Sequence, residues 1–269
     1  MTSNAGSYDF TVLSENSIEL QRLKLQAEIA KPLETQIFID HGLRPGMNAL
    51  DIGCGPGFIT KMISELVAPG QTTGIELNDL LLDYATHSVS ASAHPHLNFK
   101  KGNIYDLPTA DDSFDFVYCR FLFQHLEHPA KALKEIHRVL KPGGRALILD
   151  VDDAWLCIYP PNEIYEKILK LQQEYQKSMG GDRFIGRKIP HFMINAGFDQ
   201  SQTTIATLTS QQLGMNTFLE LGTGYKTMFL KNQGDTQISE QSIEQMKLDC
   251  TDGKHFGSVG IFATSARKI

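Results

Sequence analysis

Asp51-Ile52-Gly53-Cys54-Gly55-Pro56-Gly57-Phe58 decides the fold. Just before and into it, Ala49-Leu50-Asp51-Ile52 reads as a short strand. After it, Phe58 to Val67 places Ile59, Met62, Ile63 and Leu66 on one apolar helical face. Three glycines at alternate positions join the two. Glycine lets the backbone come close to a ligand, and the helix that follows offers free N–H groups and the positive end of its dipole. Glu76 closes the next strand. A carboxylate there can accept hydrogen bonds from both hydroxyls of a ribose, so the turn and Glu76 together predict a nucleoside cofactor.

Outward from the turn, strands and helices alternate. Thr73 to Leu77 reads as a strand, Asp79 to Ser90 as a helix, Leu97 to Lys100 and Phe114 to Cys119 as strands. Pro129 to Leu140 reads as a helix with proline in its tolerated first turn; Pro142-Gly143-Gly144 stops it, and Arg145 to Val151 is a further strand. Such alternation predicts an α/β chain with a doubly wound, mostly parallel sheet under helices. Upstream, residues 1–15 form an arm, and Asn16 to Phe38 is helical, capped by Asn16 with Glu19 reaching back and kinked at Pro32. Downstream, Ile164, Ile168, Leu171 and Tyr175 predict one buried helix face ending at Gly180-Gly181. A short helix over Ile189–Ala196 and strands over Thr203–Leu208 and Ser258–Ala263 complete seven strands. The expected organisation is an arm and helix (1–44) over the site, a core (45–151), and a remainder (152–269) with helical cap insertions near 155–195 and 209–255.

Composition bounds the partners. The chain has 269 residues, 41% apolar and 21% charged, which is ordinary for a globular protein of one large or two small domains. Its 25 Lys+Arg stand against 31 Asp+Glu, a net charge of −6, so nucleic acid is not an expected partner. Cys54, Cys119, Cys157 and Cys250 are far apart and form no CxxC pair, which predicts a reducing, cytoplasmic setting. The opening MTSNAGSYDF has no basic flank or apolar stretch of signal length, and no apolar run approaches a membrane span. The oligomeric state is left open.

The dinucleotide fingerprint is G-x-G-x-x-G. Here the spacing is G-x-G-x-G with Asp51 two residues before the first glycine. That resembles motif I of class I S-adenosylmethionine (SAM) methyltransferases. SAM carries an ammonium rather than a pyrophosphate, which suits an acidic residue beside the turn. Gly102-Asn103-Ile104-Tyr105-Asp106-Leu107-Pro108 is similar to the family's adenine-contacting segment, with Asn103 where an Asp is frequent. Phe114-Asp115-Phe116-Val117 resembles its fourth strand, and Arg138 to Gly144 its turn before strand five. The resemblance covers residues 45–151 and implies a Rossmann-like fold. It implies that Gly53, Gly55 and Gly57, with Asp51 and Cys54 in the same turn, line the methionine moiety. Glu76 would hold the ribose, Leu77 would pack on the adenine, and Asn103 and Ile104 would touch its edge. Arg120 would lie at the ligand edge of the sheet. From the arm, Tyr8 and Arg22 would cover the cofactor, Arg22 by meeting the methionine carboxylate. The implied activity is methyl transfer from SAM to a small organic acceptor or a protein side chain, leaving S-adenosyl-L-homocysteine (SAH). A non-catalytic SAM-binding protein and an NAD(P)-dependent oxidoreductase remain as alternatives.

No universal catalytic residue is expected of an in-line methyl displacement, because positioning supplies much of the rate. A base is needed only when the acceptor carries a proton. Its candidates are His125 and Asp152. His128 reads as solvent-facing, and HxxH without further ligands predicts no metal. Asp150, Asp152 and Asp153 could hold a cation or basic substrate; the simpler expectation has one capping a turn and another solvated. Cys54 reads as small packing, and Gly181 to Arg187 as a lid hinge or a surface turn. Tyr118-Cys119-Arg120-Phe121 stands where nucleic-acid and glutamine N-methyltransferases often carry N/D-P-P-Y/F.

Overall fold

In the computed structural model, which describes residues 16–88, 94–232 and 238–269, the first described element is helix α1 (Asn16–Asp40). The alternation then runs β1 (Ala49–Ile52), α2 (Phe58–Val67), β2 (Thr72–Glu76), α3 (Asp79–Ser88), β3 (Leu97–Lys101), β4 (Phe114–Arg120), α4 (Pro129–Val139) and β5 (Leu140–Tyr159). After it come α5 (Glu163–Ser178), α6 (Ile189–Asn195), β6 (Phe198–Thr209), α7 (Ser210–Leu213), α8 (Met215–Asn232), α9 (Glu240–Cys250) and β7 (Phe256–Lys268). The strands form one seven-stranded sheet in the order β3-β2-β1-β4-β5-β7-β6. Pairings among β1 to β5 are parallel, and β7 is antiparallel to both β5 and β6. This is a Rossmann-like sheet. Its order reverses between β1 and β4, and the crevice beyond the strand ends at such a reversal is where ligands bind.

Both faces of the sheet are covered, so β1 and β2 are buried at every position. Phe116 and Tyr118 of β4 pack with Phe38 of α1 and Ile59, Met62 and Ile63 of α2. The alternate residues Val117 and Cys119 point the other way, into Leu133, Ile136 and Val139 of α4 and Ile189 and Met193 of α6. A third apolar cluster joins Ile158 at the end of β5 to Tyr165 and Ile168 of α5, Phe218 of α8, and Ile243 and Met246 of α9. No helix among the described residues is long and apolar enough to cross a membrane.

Strands β5, β6 and β7 and helix α5 depart from the expected pattern. Strand β5 starts at Leu140, which pairs with Phe114, and runs through Pro142-Gly143-Gly144; it continues past Val151 to Tyr159 because β7 pairs with it from Arg145↔Arg267 to Tyr159↔Phe256 across a bulge. For the same reason β6 starts at Phe198 and β7 spans 13 residues. On α5 the buried line is Tyr165, Ile168, Leu169, Gln172 and Gln176, one residue round from the expected face. In α1 the Arg22 Nε and Nη2 both donate to the Glu19 carboxylate at 2.7 Å, and the expected cap by the Asn16 side chain lies outside the described residues.

Candidate active site

The glycine turn hangs on the neighbouring strand. The N–H groups of Gly53 and Cys54 both donate to the Ile75 carbonyl, at 2.8 and 3.1 Å. All three glycines have positive φ, but two of them do different work. A Cβ on Gly55 would meet nothing within 4 Å. On Gly57, which caps α2, it would come within 2.7 Å of Phe99 Cζ. Gly55 therefore faces open space, while Gly57 faces β3 and does not line the cavity, contrary to the expectation for it. Its glycine is required by packing.

Glu76 folds back over this turn. Its Oε2 accepts from the Gly55 N–H at 2.8 Å, and its Oε1 accepts from Leu77 and Asn78 at 2.8 and 2.9 Å. Burial pushes its carboxyl up, and the three N–H donors pull against that. Asp51 lies beneath the turn with Thr60 Oγ1 donating at 2.7 Å. Desolvation raises it to about 7, opposed by Thr60. The Cys54 thiol is buried and pushed well above its ordinary range, chiefly by desolvation, which suits packing and not attack.

One cavity of about 500 Å³ opens at the strand ends, a size that accommodates a nucleoside ligand and a second small molecule's head. Of the residues singled out from sequence, Arg22, Asp51, Gly53, Cys54, Gly55, Glu76, Leu77, Asn103, Ile104, Arg120 and His125 line it. Tyr8 lies outside the described residues. Leu77 is 40% exposed, an apolar surface left bare beside Glu76. Asn103 Oδ1 accepts from the Tyr105 N–H at 3.0 Å, and Ile104 is buried. Arg120 Nε donates to Glu34 at 2.7 Å and its Nη1 to Gln26 at 3.2 Å, while the Tyr118 hydroxyl donates to Glu34 at 3.3 Å. These bonds tie α1 over the end of β4. Arg120 thus acts as a clamp on the covering helix.

The acidic trio is not solvated. Alternation along β5 sends Val151 and Asp153 into the cavity wall and Asp150 and Asp152 to the opposite face. Asp150 accepts from the N–H groups of Val151 and Gln124, and burial raises it to about 7. Asp152, a candidate base from sequence, is off the cavity and held by Arg187 at 2.5 Å. Asp153 is paired with Arg183 at 2.6 Å. The segment 181–187 is thereby strapped to β5 by two ion pairs. Arg183→Met should leave Asp153 buried without its cation and cost about 3 kcal/mol of stability, read by urea denaturation. Wild-type stability in that variant would show the pair to be dispensable.

His125 lines the cavity within a 3₁₀ turn, Phe123–His125. Burial, then the charge of Arg183, lowers it to about 3, so it stays neutral and is a weak base at neutral pH. His128 is exposed just before α4. Among the described residues no three His, Cys, Asp or Glu side chains are grouped to hold a metal ion. Sequence reasoning missed Glu34, which holds Arg120, and Gln172, which lines the cavity, and read Arg183 only as part of a hinge or surface turn.

Comparisons with known proteins agree with this geometry. Residues 50–148 match the family model described as a methyltransferase domain. An uncharacterized methyltransferase of Schizosaccharomyces pombe is 34% identical over 156 residues, 55% of each chain. A demethylmenaquinone methyltransferase of Symbiobacterium thermophilum is 37% identical over 109 residues, 40% of this chain and 43% of its own. The chain thus spans about half the length of the curated relatives it matches. A SAM-dependent methyltransferase structure from Thermotoga maritima superposes with a TM-score of 0.58 at 18% identity, covering 97% of this chain and 100% of its own. The glycine turn at the reversal point of this seven-stranded sheet thus falls within the stretch, residues 50–148, that is similar to the methyltransferase-domain family.

Proposed function

We propose that the chain transfers a methyl group from SAM to a small organic acceptor. The observation that carries this reading is the continuity of one cavity from Gly55, Glu76 and Leu77 at the turn to Leu208, Phe218 and Val259 beneath the cap. In this reading Glu76 holds the ribose, Leu77 and Ile104 flank the adenine, and Asn103 meets its edge. Gly53 and Gly55 give the methionine moiety room beside Asp51, which supplies a counter-charge. Arg22 covers the same end from α1. When bound, SAM supplies a methyl on a positively charged sulfur, ready for in-line displacement. The chain's own residues orient the acceptor, and their apolar walls exclude water. No side chain is assigned as the base. Asp152 is off the cavity, and His125 titrates far below neutrality.

Calorimetry with SAM and SAH, followed by methyl-labelled SAM with a metabolite extract, tests the reading. Binding with label transferred to an organic-soluble product is the expected result. Binding without transfer to any acceptor would reassign the chain as a SAM-binding module, and binding of NADH in place of SAM would return it to the dinucleotide alternative.

Asp51 adds a pH dependence. In the free protein it sits at about 7, and a cationic ligand favours its ionised form. SAM affinity should therefore rise as pH rises through 7 and level off above, with proton release on binding below that point. Calorimetry in two buffers of different ionisation heat counts those protons. Asp51→Asn should flatten the profile, and a flat wild-type profile between pH 6 and 8 would remove Asp51 from the site.

A further inference from the structure

The end of the cavity remote from the turn is built of different chemistry. Leu156 of β5, Val259 of β7 and Leu208 of β6 stand in one register row across the sheet, and all three line the cavity. Ile261, two residues beyond Val259, extends the same wall. Phe218 and Leu221 of α8 close over it. Among the described residues, the charged side chains lining this end are Arg183 and Asp153, which neutralise one another at 2.6 Å with side chains only 10% and 1% exposed. Gln173 also donates to Asp153 at 3.1 Å, and Arg183 donates to Gln124 Oε1.

Among the described residues, one polar atom in this wall has no protein partner. Gln172 of α5 lines the cavity, is 5% exposed, and its Oε1 makes no hydrogen bond. Seven residues earlier on the same helix, the Tyr165 hydroxyl is likewise buried and unpartnered. It lies 3.9 Å from where a Cβ on the cavity-lining Gly222 would stand. Buried polar atoms in folded proteins are nearly always satisfied, and an amide oxygen left bare is costly. The oxygen itself is enclosed, so a donor arriving through the cavity would satisfy it once the amide turns outward. A charged acceptor would meet aliphatic walls and an ion pair already closed, and would be buried at a large cost.

Resting on the methyltransferase reading above, we propose that the acceptor is an uncharged, largely hydrocarbon molecule whose polar end, a hydroxyl or N–H, donates a hydrogen bond to Gln172 Oε1. Gln172 then sets specificity by orienting that end, while the Leu156–Val259–Leu208 row takes the hydrocarbon body.

The test uses the full chain saturated with SAH and three probes of matched shape: 4-butylphenol, butylbenzene and 4-butylbenzoate. The phenol should bind about tenfold more tightly than butylbenzene, the worth of one good hydrogen bond, and the benzoate more weakly than either. In Gln172→Leu the phenol's advantage over butylbenzene should fall to near unity, with SAH affinity unchanged. Gln172→Met gives the same comparison should the leucine variant not fold. A phenol advantage that survives in the variant, tightest binding by the benzoate, or no probe binding to an SAH-loaded protein would each overturn the assignment. Failure of the wild-type chain to bind SAH at all would instead fall on the methyltransferase reading and take this proposal with it.

Discussion

Glu76→Ala should weaken SAM binding by about a hundredfold. Two hydrogen bonds from ribose hydroxyls to a carboxylate contribute roughly 3 kcal/mol together, and that converts to roughly two decades in Kd. The same carboxylate also holds the N–H groups of Gly55, Leu77 and Asn78, so alanine removes the post around which the turn is drawn. Glu76→Gln separates the two contributions. It keeps one oxygen for Leu77 and Asn78 but sets an NH2 against the Gly55 N–H, so its affinity should lie between wild type and alanine. Calorimetric titration with SAM and with SAH reads all three proteins. Equal affinities in wild type and Glu76→Ala would mean that the ribose is held elsewhere and would dismantle the cofactor half of the site.

Much of that half is written locally. The strand, turn and helix from Ala49 to Val67 lie within consecutive residues, so hydrophobic spacing and glycine placement suffice to read them, and α2 has the bounds its pattern predicts. The far end of the cavity, about β5 and α5, is not written that way. Strand β5 continues past Val151 only because β7, about a hundred residues on, supplies its ladder. The acidic trio reads as a cation site until Arg183 and Arg187 are seen across separations of 30 and 35 residues. On α5 the line of buried residues includes Gln172 and Gln176, polar types that a hydrophobic pattern assigns to the outside. Gln176 is buried because its Nε2 donates to the Gln124 carbonyl at 2.7 Å. Gln172 faces the cavity instead. A polar residue kept inside by a distant partner, or by the cavity, leaves no periodic signal.

Gly55 and Gly57 show how one motif can hide two requirements, and their alanine variants should part company. Both have positive φ, +55° and +81°, so each substitution carries roughly 1–2 kcal/mol of left-handed backbone strain. At Gly57 the new methyl also meets the Phe99 ring at 2.7 and 3.0 Å and Ala85 Cβ at 3.1 Å, and overpacking of this kind adds roughly 1–3 kcal/mol. Gly57→Ala should therefore lower Tm by roughly 5–10 °C, at the few degrees per kcal/mol expected of a chain this size. At Gly55 the methyl enters open space on the ligand side, so Tm should fall by only a few degrees. SAM, however, would have to share that space, and a misfit of one methyl weakens binding by roughly ten- to a hundredfold. Thermal unfolding without ligand, paired with calorimetric SAM titration below the transition, gives both numbers for both variants. A Gly55→Ala protein that binds SAM as tightly as wild type would show that the cofactor does not approach the turn at this residue. A Gly57→Ala protein of unchanged Tm would show that β3 yields to the methyl and that Phe99 does not fix the glycine.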